Sequence, residues 1–215
     1  MSTEIPPRPL RPLTDVWLRP RKVFRSLANT PVGPLDYVLG ALQGIVSWLA
    51  FCRTESLGQH AGVGELLGEA LLVGPVAGIL GILLMCAIYR RLGRVVGGTA
   101  GRNQVFHVLS YGGVPLVASL GLWLLTAAVA GSTAFMQQPP TTPEPLAALL
   151  LSVQPVVHLA LIGWSLLLQV MGFAEVEGLA LRRAVGVWIA GQLLVLIAVV
   201  VVGVALFGQE LAPRG

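Results

Sequence analysis

Five stretches of this sequence stay apolar for about twenty residues or more, and they limit the folds open to it more than any other feature. They lie at about 34–52, 70–89, 105–131, 146–172 and 184–207. A helix needs roughly 20 residues to cross the ~30 Å hydrocarbon core of a bilayer. Each run is bounded by charge or turn chemistry, such as Arg53, Arg90-Arg91 and the QQPPTTPEP segment before the fourth. Composition agrees: 55% of the residues are hydrophobic and 11% charged, against about a quarter charged in a soluble domain. The expected architecture is an all-α, five-span bundle at 34–207, between an arm at 1–33 and a short tail at 208–215.

The basic residues orient it. Six lie in the arm (Arg8, Arg11, Arg19, Arg21, Lys22, Arg25), four after the second run (Arg90, Arg91, Arg94, Arg102) and two after the fourth (Arg182, Arg183). Only Arg53 and Arg214 fall on the other side. The positive-inside rule then predicts a cytoplasmic N-terminus and an outer C-terminus. The proline-rich first 33 residues offer no apolar core for a secretory signal. In WLRPRKVFRSLANTP, Pro20 suits a first helical turn, and Val23, Phe24, Leu27 and Ala28 share a face opposite Arg21, Lys22 and Arg25. This pattern predicts a basic amphipathic helix resting at the membrane interface.

Polar residues inside the runs are not scattered. On a helical wheel Asp36, Gly40, Gln43 and Ser47 share a sector of the first span. Gln154, His158, Ser165, Gln169 and Gly172 share one in the fourth, and Asn103, His107, Ser110 and Tyr111 one in the third. Polar groups at membrane depth need partners, so these faces are expected to meet. Pro115 and Pro155 strip the helical donor from the carbonyls of Tyr111 and Leu151, which must bond elsewhere. The pairs Gly40/Gly44 and Gly74/Gly78 permit close helix contacts and leave room for a homo-oligomer.

Two readings of the interior stay open. One is interhelical hydrogen bonding. The other is a path for lipid headgroups or a small solute, lined by Gln43, Ser47, His107, Tyr111, Gln154 and His158. Catalysis is not expected: there is no Walker A motif, HExxH, CxxC or glycosylation sequon, and no cofactor or metal site is implied. His107 and Ser110 suit a local hydrogen bond. Glu175 and Glu177, read as loop residues, could pair with Arg182, Arg183 or Arg94. Cys52 and Cys86 fall at opposite membrane faces, so no internal disulfide is expected. Nucleic acid is not an expected partner, because the basic residues sit in short juxtamembrane segments without an aromatic platform.

Three segments taken together, LRPRKVFRSLANTP, GGTAGRNQVFHVLSYGGVPL and GFAEVEGLALRRAVGVW, resemble the Yip (Ypt-interacting protein) domain family. The matching positions are Pro20, Arg21 and Phe24, then Tyr111 and Pro115, then Gly172, Glu175 and Gly178; Glu177 stands where that family typically has histidine. The resemblance implies a cytoplasmic N-terminal region followed by five clustered spans. Eukaryotic members are linked to Rab-type GTPases and membrane traffic, but this arginine-rich chain reads like a bacterial relative in the cytoplasmic (inner) membrane. The function expected is a non-enzymatic membrane-organising or partner-binding module. Its contact residues would be Arg21, Phe24, Arg94, Arg102, Glu175, Arg182 and Arg183, meeting anionic lipid headgroups or a protein.

Overall fold

The computed structural model describes residues 11–138 and 143–207, and these residues are all helix, turn or coil. Two short helices, α1 (Pro12–Asp15) and α2 (Pro20–Leu27), precede α3 (Pro34–Thr54). There follow α4 (Val63–Val95), α5 (Arg102–Gly112), α6 (Val114–Ala130), α7 (Pro145–Glu177) and α8 (Leu181–Phe207). Five helical stretches among the described residues are long and apolar enough to cross a membrane, with α5 and α6 together forming the third. A belt of exposed Leu, Val and Ile, including Leu72, Val76, Leu80, Leu159 and Ile197, surrounds the bundle. That much contiguous apolar surface suits acyl chains and not water.

Prolines and short polar side chains begin these helices. Proline sits in the first turn of α1, α2, α3, α6 and α7, where its missing N–H costs nothing. The Asp36 carboxylate of α3 reaches back to the Gly33 N–H at 2.9 Å, closing the helix start as a capping residue does. Gly178, at φ 64°, ends α7 in the left-handed conformation that glycine adopts without strain.

The helices α4 and α7 each run 33 residues, about 50 Å at 1.5 Å per residue. Both outlast the apolar runs 70–89 and 146–172. Charged side chains continue a helix readily once it has left the hydrocarbon. Glu175 and Glu177 therefore lie in the last turn of α7 and not in a loop.

Helices α3 and α4 approach each other closely through their glycines. A Cβ added at Gly44 would overlap the carbonyl oxygen of Gly74, and one at Gly78 would overlap that of Gly40. The two glycine pairs are thus spent on each other inside one chain, and neither is left free to dimerise. Hydrophobic packing divides between the two ends. Val23, Phe24, Tyr89, Phe106, Phe173 and Trp188 gather at the arginine-rich end. Val46, Leu49, Leu66, Trp123 and Phe135 gather at the other. Cys86 belongs to the first cluster and Cys52 to the second, and both are buried free thiols.

Gly44→Ala drives a methyl into the α4 backbone and is expected to destabilise the protein by about 3 kcal/mol. Gly163, whose Cβ position is open, is the control: Gly163→Ala leaves stability unchanged or raises it by up to ~1 kcal/mol through helix propensity. Melting of both variants in detergent, followed by circular dichroism, checks the contrast.

Candidate functional site

The polar stripes of the first, third and fourth spans do meet, and they meet around a break in the third. Helix α5 stops at Gly112 and α6 begins at Val114. Helix ends leave carbonyls and N–H groups without helical partners, and side chains from two neighbouring spans supply them. The Gln43 amide of α3 donates to the carbonyl oxygens of Ser110 at 3.1 Å and Leu109 at 3.4 Å. Ser165 of α7 accepts the Leu116 N–H at 3.0 Å. A Cβ at Gly113 would overlap the Gln43 amide, and one at Gly112 would press on the Gln169 side chain. The two glycines are the notches through which the glutamines enter.

Toward the arginine-rich end, His107 of α5 and Asp36 of α3 form a buried pair, Nδ1 to Oδ1 at 2.7 Å with both side chains 3% exposed. The other ring nitrogen lies 3.1 Å from the Thr30 carbonyl, so Nε2 carries a proton there and donates. Thr30 ends the arm, so this pair ties the arm to two spans. Tyr111 is buried beside His107, ring centroids 6.1 Å apart. Ser110 Oγ is buried without a partner among the described residues, so the local bond expected between His107 and Ser110 does not form.

The arm helix α2 is amphipathic as expected, but its apolar face is covered by protein. Val23 and Phe24 are buried, and the Phe24 ring fills the notch left by Gly172 of α7. Phe24 is therefore an internal anchor and not a surface for lipid or a partner. Glu175 pairs with Arg25 of the arm, Oε1 to Nη2 at 2.6 Å, in place of the expected Arg182, Arg183 or Arg94. Two positions along a helix turn by about 200°, so Glu177 points elsewhere. It is 2% exposed and accepts the Ala100 N–H at 2.8 Å, in a cradle where Gly93 and Gly98 have no room for a Cβ. It holds the α4–α5 connection against the end of α7.

At the opposite end Arg53 turns into the bundle. Its guanidinium donates to Gln154 Oε1 and, at 3.2 Å, to the Leu151 carbonyl. Leu151 O is the acceptor that Pro155 deprives of a helical donor, and Arg53 supplies the missing bond. His158 bonds Ser119 Oγ through Nδ1 at 3.1 Å and meets the Trp123 ring edge-on at 5.7 Å.

Two expected interior residues lie elsewhere. Ser47 is exposed and bonds back to the Gln43 carbonyl of its own helix. Asn103 is exposed at the start of α5. A side cavity of about 580 Å³ opens beside Gln43, Ser47, Gln169 and Gln192, with otherwise apolar walls. Arg21, Arg94, Arg102, Arg182 and Arg183 are all exposed at the arginine-rich end. None has a carboxylate within 4.0 Å among the described residues.

This arrangement of an arm docked on a five-span bundle agrees with a family comparison: the Yip1 domain model matches residues 14–205. The chain belongs to the Yip1 domain family. The match takes in α2 and all five spans, so the likeness in the arm, third-span and α7–α8 segments reflects one continuous domain. This Yip1-family chain is a multi-pass membrane protein, and its family is generally not enzymatic. No curated protein and no solved structure matches it. Among the described residues no group of three or more His, Cys, Asp or Glu side chains could hold a metal ion.

Glu177→Ala strips the acceptor from Ala100 and is expected to cost about 1–3 kcal/mol, while Glu177→Gln retains an acceptor and most of the stability. Amide hydrogen exchange at residues 96–101 reads the difference, with faster exchange confined to the Ala variant.

Proposed function

We propose that the protein is a non-enzymatic membrane-organising or partner-binding module acting through its arginine-rich face, with anionic lipid headgroups as the first ligand of that face. In this reading the arm is cytoplasmic and the membrane is a bacterial inner membrane, the orientation that the excess of arginine at one end favours. The observation that carries the reading is a contrast in how the polar groups are used. Inside the bundle Gln43, His107, Gln154, His158 and Ser165 bond to protein partners. At the surface five arginines present guanidinium groups with no carboxylate in reach among the described residues.

The arrangement suits charge-based attachment. An arginine near an anionic leaflet contributes about 1 kcal/mol. The arm packs on α7 through Phe24 and Arg25, which keeps its basic face exposed at the arginine-rich end. The alternative, passage of headgroups or a solute along the polar stripes, requires a connected route with groups free to serve it. Gln43, His107, Gln154 and Ser165 instead bond to groups of neighbouring spans.

Two measurements test this. The purified protein is expected to carry phosphatidylglycerol in preference to phosphatidylcholine in native mass spectra, and each of Arg94→Ser, Arg182→Ser and Arg183→Ser should lower that preference about fivefold, from ~1 kcal/mol each. Liposomes holding the wild type should show no headgroup flipping or proton flux above protein-free vesicles. Flux that disappears in His158→Leu overturns the proposal in favour of transport.

A further inference from the structure

The side cavity of about 580 Å³ beside Gln43, Gln169 and Gln192 has the volume of an ordinary small-molecule site. Its glutamines hold hydrogen-bonding capacity that the protein leaves unused. Gln169 and Gln192 have no side-chain hydrogen bond to a described residue. Gln43 spends its N–H groups on the carbonyls of Leu109 and Ser110, and its Oε1 stays unbonded. These atoms are not sealed in by protein, since the buried side-chain polar atoms without partners belong to other residues. The cavity thus offers N–H donors from Gln169 and Gln192 and carbonyl oxygens from all three glutamines.

The three amides also share a depth. Gln43 lies about nine residues into α3, Gln169 about eight before the end of α7, and Gln192 about nine beyond Arg183. At 1.5 Å per residue each is roughly 12–14 Å from the arginine-rich end, close to the middle of a ~30 Å hydrocarbon core. Acyl chains satisfy no amide there, and an unmet one costs free energy. The missing partner is a molecule that brings hydrogen-bonding atoms to the centre of the bilayer.

The lining narrows its chemistry. No charged side chain lines the cavity, which disfavours a phosphate, carboxylate or ammonium group. Lipids whose headgroup or hydroxyl holds them at the interface keep their polar ends too far from these amides. Trp48 and Phe51, about one and two turns further along α3 than Gln43, line the cavity with ring centroids 5.4 Å apart. They offer flat apolar surface to a ring and the start of its tail.

We infer that this cavity binds a membrane quinone, an uncharged ring with two oxygen functions and a polyprenyl tail. The carbonyls of the oxidised form accept from the Gln169 and Gln192 N–H groups, and the hydroxyls of the reduced form donate to the glutamine oxygens. Carboxamides serve both forms because they donate and accept. The site lies within the spans and is independent of the role of the arginine-rich face.

The test titrates the full-length protein in neutral detergent with a decyl-tailed benzoquinone and follows quenching of tryptophan fluorescence. A saturable component is expected above the linear quenching that quinone dissolved in micelles produces, and Trp48→Phe should remove most of it. Gln169→Leu and Gln192→Leu should each weaken binding about fivefold or more while keeping the melting temperature, because each removes an unmet amide from hydrocarbon. Gly81 lines the cavity and a Cβ there meets open space, so Gly81→Leu should fill the site and abolish the saturable component in a folded protein. Quenching that stays linear, or equal affinity in the wild type and Gly81→Leu, overturns the inference. Displacement of the quinone by an equal concentration of dioleoylglycerol overturns it too, in favour of a site for neutral lipids at large.

Discussion

Hydrocarbon offers no hydrogen bonds, so any backbone group that a helix releases inside a membrane must be met by another part of the protein. This chain releases such groups in at least two places, at the α5–α6 break around Gly112 and Gly113 and at the Pro155 bend in α7. The architecture follows from how they are met. Gln43 and Ser165 bring the first and fourth spans to the break in the third. Arg53 brings the end of the first span to the bend in the fourth. Interhelical bonds of this kind contribute about 1 kcal/mol each at most. Their larger effect is on register, because few placements of α3, α5, α6 and α7 satisfy all of them together.

The same requirement explains why the arm belongs to the fold. Its far end delivers the Thr30 carbonyl to the buried His107–Asp36 pair, and its apolar side sits in the notch at Gly172. Closing the arginine-rich end in this way leaves the basic residues outward and the acids inward, with Glu175 on the arm and Glu177 on the α4–α5 connection. The Glu177 carboxylate accepts a backbone N–H, a task that a neutral imidazole nitrogen could also perform.

Much of this was legible in the sequence. Apolar run length gave the spans, wheel projection gave the inward stripes, and Pro155 identified Leu151 as a carbonyl in need of a donor. The misplaced features share a cause. Ser47 falls in the polar sector of the first span by angle, but the sector's edge opens on a side cavity, and no wheel shows where a neighbour ends. Phe24 lies on the apolar face of an amphipathic helix, and nothing local states whether lipid or protein will cover that face. The Glu175–Arg25 and His107–Asp36 pairs join residues 150 and 71 positions apart, beyond any local pattern.

Sequence alone determined that the chain crosses a membrane in five helices, gathers arginine at one end and turns its polar stripes inward, because hydropathy, charge asymmetry and helical period act along the chain. Tertiary structure decided which polar group meets which, that the glycine pairs close α3 on α4, that Phe24 is an anchor, and that Gln43, Gln169 and Gln192 share a cavity. Those outcomes depend on how closely separate helices approach and on what fills the space between them, distances that no stretch of sequence contains.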